Sequence, residues 1–177
     1  PLVQVSIPFM KEMVERTEFS CLLTHLNHDS CIDIHDEVFK NMHLYSYGRG
    51  CPRPVFVGSS PKVMISHLPK QQILDYYQRF ATQLAEVHFA QSEEEFLSLM
   101  KKIKKQGYYF SNGELDPHIA GLSVPVKFSS KEPPLALTLL GSKNRFEFVN
   151  LQKVIEILQE NAALIEQKFL ALDSQKG

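Results

Sequence analysis

The chain has 177 residues, 44% hydrophobic and 22% charged, and a formal net charge of -1 at pH 7, which suits one globular domain with a substantial core. Its 19 basic residues against 20 acidic ones leave no electrostatic footprint for nucleic acid or an anionic membrane, and no apolar run approaches the ~20 residues of a membrane span. Without a signal peptide it reads as cytoplasmic, and three cysteines with no C-x-x-C pair exclude a disulfide framework and a zinc ribbon.

Ile7, Met10, Met13 and Val14 recur at helical spacing behind Ser6, which predicts an opening helix over residues 6–16. Residues 19–26 and 31–38 alternate and are rich in β-formers, and Asn27, His28, Asp29 and Ser30 between them supply a turn, so a hairpin is expected. Residues 42–47 form a third candidate strand, broken by Gly48, Gly50, Pro52 and Pro54. One helix is expected over residues 60–67 and a second from Pro69 through Phe80. Ser92 with Glu95 is a capping box, and Phe96, Met100 and Ile103 give the following helix a buried stripe until Gly107 ends it. Residues 108–110, 119–128 and 135–140 read as strands, the last two joined by a polar turn at residues 129–132. From Phe148 to Phe169, apolar residues at alternating steps of three and four place one stripe along a long final helix. Hairpins interleaved with helices mean an α+β fold, a curved antiparallel sheet covered by helices.

The stretch VGSSPKVMISHL lacks the second glycine and the Lys-Ser/Thr pair of a phosphate loop. What remains is a helix start, with Ser59 or Ser60 as N-cap and Pro61 at the first helical position, whose free N–H groups suit a carboxylate or another small anion. The segment THLNHDSCIDIHDE concentrates potential metal ligands, His25, His28, Asp29, Cys31, Asp33, His35 and Asp36, and on a strand Cys31, Asp33 and His35 share one face. The structural reading of the same residues is an amphipathic strand with Ile32 and Ile34 inward and Asp33 and His35 outward. Cys51 has no His or Asp at a spacing that marks a nucleophile.

Three stretches, taken together, resemble the effector-binding domain of an IclR-type bacterial transcriptional regulator over nearly the full length. They are GRGCPRPVFVGSSPKVMIS, with Gly50, Pro54 and Lys62 in register; KKIKKQGYYFSNGELDPHIAGLSVPV, with Gly107, Tyr108, Glu114 and Pro125; and PLALTLLG, residues 134–141, followed by Arg145. The resemblance implies a GAF- and profilin-like sensor domain whose sheet and loop-plus-helix enclose a small-molecule pocket. It implies no enzymatic activity and no cofactor, a homo-oligomer (dimer or tetramer), and an N-terminal winged helix-turn-helix that reads DNA. That domain is not in this chain, which begins with Pro rather than Met.

By register with the family, the ligand-binding residues are Ser59, Ser60, Ser111, Ile119, Gly121, Thr138 and Leu140, and the implied ligands are small organic acids or other polar metabolites. Members that bind small keto acids often carry a carboxylic acid at the position of Ser111 and a cysteine at that of Gly121. Their replacement here implies a wider and less charged pocket, and Pro61, in place of the usual glycine, removes one backbone donor. Two other readings stand beside the sensor: an interaction module without ligand response, and a metal-dependent enzyme using residues 25–36.

Overall fold

The computed structural model describes residues 1–40 and 50–176. In chain order the elements are α1 (Leu2–Thr17), β1 (Ser20–Asn27), β2 (Ser30–Glu37), β3 (Pro52–Pro54), α2 (Ser59–Ser66), α3 (Lys70–Glu86), α4 (Glu93–Gln106), β4 (Tyr109–Asn112), β5 (Ile119–Val126), β6 (Leu135–Ser142), α5 (Lys143–Glu147) and α6 (Leu151–Ser174). The strands form one antiparallel six-stranded sheet in the order β3-β2-β1-β6-β5-β4, the expected α+β architecture. The candidate strand at residues 42–47 lies outside the described residues.

Successive strand residues point to opposite faces, and this sheet is covered on both. Cys21, Leu23, Leu122, Val124, Leu137 and Leu139 face α1 and α6, whose Met10, Met13, Ile155, Leu158 and Ile165 complete one core. Leu26, Cys31 and Ala136 face α2, α3 and α4 in a second core with Val63, Met64, Phe96 and Met100. All eight residues of α2 are buried, so it lies as a filling between the sheet and the outer helices.

The local signals fix several boundaries. Ser92 Oγ accepts the Glu95 N–H at the start of α4, and Gly107 closes that helix with φ 78°. The expected end at Phe80 is a kink inside α3, where φ is -120° and ψ is 19°, after which the helix continues to Glu86. Ser6 does not cap α1; it sits inside the helix and donates to the Leu2 carbonyl. Phe148 falls outside the C-terminal stripe: it ends α5 and is 89% exposed, while α6 begins at Leu151 with Asn150 accepting from the Lys153 N–H.

Strand β2 departs most from its expected orientation. Leu23 pairs with His35 but Thr24 with Asp33, so Ile34 is bulged out of the ladder. Cross-strand partners share a face, so Cys31 and Asp33 point toward α2 and His35 points, with Leu23, toward α1. Asp33 is therefore inward and buried, the reverse of the amphipathic reading.

Candidate functional site

Gly58 holds φ 87° and ψ 171°, a backbone region that only glycine occupies without strain, and thereby turns the chain into α2. It is the N-cap, and no side chain caps the helix, so the first-turn N–H groups of Ser59 and Ser60 are left to other acceptors. The two serine hydroxyls, expected as caps, reach across to the sheet instead. Ser59 Oγ lies 2.7 Å from Ser123 Oγ, Ser60 Oγ 3.1 Å from Thr138 Oγ1, and Ser123 and Thr138 are 2.5 Å apart. Four hydroxyls thus make a chain of three hydrogen bonds, and if donation runs one way along it, the spare hydrogen sits on Ser59 or Ser60.

Ser59, Ser60, Ser111, Ile119, Gly121, Thr138 and Leu140 all line one cavity between α2 and strands β1, β5 and β6. Strand pairing explains the convergence: Ser111 stands beside Gly121 on β4 and β5, and Gly121 beside Leu140 on β6. Its other lining residues include Leu22, Arg53, Leu115 and Asp116. The cavity measures about 30 Å³, room for about two waters at about 10–15 Å³ each. The absence of a side chain at Gly121 does not widen it. A Cβ there would lie 3.0 Å from Leu140 Cδ1 and 3.1 Å from Ser59 Oγ, so those two side chains already occupy the space.

Nor is the wall free of charge. Arg53, 5% exposed, donates to Asp33 Oδ1 at 2.5 Å, and Thr24 Oγ1 donates to the same oxygen at 2.7 Å. The residues Pro52-Arg53-Pro54 read as a strand breaker, yet they pair with β2 as an edge strand, where prolines are tolerated. The missed signal was Asp33 itself, an acid on a strand whose neighbour is buried.

One turn along α2 from Ser59, Lys62 is 2% exposed. Its ammonium donates to Glu114 Oε1 at 2.7 Å, to the Gly58 carbonyl at 3.1 Å and to the Phe56 carbonyl at 3.5 Å, and it lies 4.8 Å from the Phe89 ring centre. Tyr109 donates to the other Glu114 oxygen at 3.0 Å. Burial pushes the Lys62 pKa below the ordinary 10.5, with the Glu114 carboxylate opposing that fall.

The metal-ligand candidates disperse. His25 and His28 are exposed, Asp29 pairs with Arg79, His35 lies 2.9 Å from Glu37, and Cys31 and Asp33 are buried on the other face. Among the described residues no group of three or more His, Cys, Asp or Glu side chains is placed to hold a metal ion. None of the described helices is long and apolar enough to cross a membrane.

The family model described as bacterial transcriptional regulator IclR C-terminal matches residues 1–167. No curated protein matches the chain in sequence. Among solved structures, a transcriptional regulator from Rhodococcus sp. RHA1 superposes with a TM-score of 0.83 at 16% identity, over 96% of this chain and 69% of that one. The C-terminal domain of the Escherichia coli transcriptional regulator KdgR gives 0.77 at 20% identity, over 95% and 98%. An IclR homolog from Microbacterium hydrocarbonoxydans, complexed with 4-hydroxybenzoate, gives 0.76 at 19% identity, over 96% and 68%.

Proposed function

Since the chain belongs to the family of IclR C-terminal domains of bacterial transcriptional regulators, effector domains rather than enzymes, we propose that it senses a small organic acid or polar metabolite in the cavity beneath α2. In this reading ligand binding biases the arrangement of a homo-oligomer and so the spacing of DNA-binding domains carried elsewhere. The observation that carries it is the convergence of seven pocket positions on one cavity at an uncapped helix start. Two backbone donors and the positive end of α2 favour a carboxylate. The Ser59, Ser60, Ser111 and Thr138 hydroxyls supply hydrogen bonds, with Ile119 and Leu140 as apolar wall. The 4-hydroxybenzoate bound by the Microbacterium homolog is a ligand of this chemical type.

At about 30 Å³ the cavity admits no such ligand without movement. The ligand must part α2 from the sheet and exchange the Ser59–Ser123 and Ser60–Thr138 hydrogen bonds for its own. That exchange gives the two-state element that sensing requires, because the ligand then prefers the parted arrangement.

A thermal-shift panel of keto acids, sugar acids, aromatic acids and neutral sugars, run on the parent and on Ser60→Leu, tests this. A ligand at 100 times its Kd raises stability by about 2.7 kcal/mol. A shift in the parent that is lost in the variant supports the sensor. No shift from any compound favours the second reading, a ligand-silent interaction module, which the small cavity and the hydrogen bonds of Ser59 and Ser60 to the sheet support.

A further inference from the structure

The cavity is bounded at two places that one side chain holds. The first is Gly58, which lines the cavity and ends the segment from Phe56 that leads into Ser59 and Ser60. The second is the turn between β4 and β5, where Leu115 and Asp116 line the cavity beside Glu114. Lys62 reaches both: two of its ammonium hydrogens go to the Phe56 and Gly58 carbonyls and one to Glu114. An ammonium has three donors and no acceptor, so these three bonds saturate it. Its burial, with the Phe89 ring 4.8 Å away, leaves it little water to fall back on if a partner departs.

We propose that Lys62 is the positioning residue of the effector cavity, tying the Phe56–Gly58 wall to the Glu114 turn so that the two open and close together. The proposal rests on the cavity being the effector site. Lys62 touches no ligand in it: at Lys62 the α2 backbone is one turn beyond Ser59, and parting α2 from the sheet strains the same ammonium hydrogen bonds that hold the turn. Tyr109 holds Glu114 from its other oxygen, so the turn keeps one anchor when Lys62 is replaced, whereas the Phe56–Gly58 wall keeps neither of its ammonium hydrogen bonds.

Hydrogen exchange on the ligand-free protein tests the tie apart from any ligand, so its outcome is separable from that of the thermal-shift panel. The comparison is between the parent, Lys62→Met and Glu114→Gln. In Lys62→Met, amides at residues 56–60 and 113–118 should exchange at least about tenfold faster, with β1 and β6 unchanged. In Glu114→Gln only residues 113–118 should speed up. A purely structural lysine would loosen α2, α3 and α4 alike. Uniform acceleration in Lys62→Met, or acceleration of a single wall, overturns the proposal. If Lys62→Met does not fold, Glu114→Gln decides: acceleration confined to residues 113–118 upholds the tie, and acceleration across α2–α4 or none at all overturns it.

Discussion

Ser60 Oγ and Thr138 Oγ1, 78 residues apart in the chain, lie 3.1 Å from each other and join the first turn of α2 to the middle of β6. Because Thr138 also bonds Ser123, removing the Ser60 hydroxyl leaves no orphaned group on the sheet side. Ser60→Ala should therefore cost about 0.5–1.5 kcal/mol in urea unfolding. Adding Thr138→Val should cost less than the sum of the single changes, the sign of a shared network.

Gly121→Ala should destabilise by about 1–3 kcal/mol, since the new methyl meets Leu140 at 3.0 Å and Ser59 at 3.1 Å. Leu140 can yield, being the flexible end of a side chain. A second change, Leu140→Val, should recover part of the loss, and denaturant midpoints of the single and double variants measure it.

His67 gives the domain an acid-side sensitivity. Burial, helped by Lys127 and Lys104, lowers its pKa from the ordinary 6.5 to about 4. Between those values the unfolded chain binds a proton that the folded chain refuses, so this contribution to stability is complete above pH 6.5 and falls as pH drops toward 4. His67→Gln should flatten the dependence of the urea midpoint on pH between about 6.5 and 5, where carboxylates contribute little.

The thiols should divide sharply. Cys21 and Cys31 are fully buried, and burial raises both pKa values, that of Cys31 to about 12, while Cys51 is exposed. Iodoacetamide should label only Cys51 in the native protein and all three cysteines after unfolding, as peptide masses would report.

Elements defined by interactions between near neighbours were legible in the sequence. The Ser92 capping box, the Gly107 stop and the turn at residues 27–30 each announce themselves within a few residues. The helix start at Ser59 and Ser60 was legible locally as a place for an anion, but the rest of the candidate site only by register with a family, since Ser60, Gly121 and Thr138 lie far apart in the chain and share no local pattern. What escaped depends on packing. The bulge at Ile34 turned Asp33 inward, and no alternation rule foresees an inserted residue. Arg53 was hidden between two prolines that read as a loop. Gly58 took the cap that either serine could have filled, and the fit of Leu140 into the space beside Gly121 decided the cavity's size.

The two cores lie on opposite faces of the sheet and share only its strands. The sheet thus works as a bulkhead. Were α2 to shift as proposed, the packing given up would come from the α2–α4 layer, and the α1–α6 layer, with Leu164, Leu170 and Leu172 exposed on its long helix, would keep its own cohesion. One compartment can slacken while the other stays taut, so a change beneath α2 need not cost the surface that α6 presents.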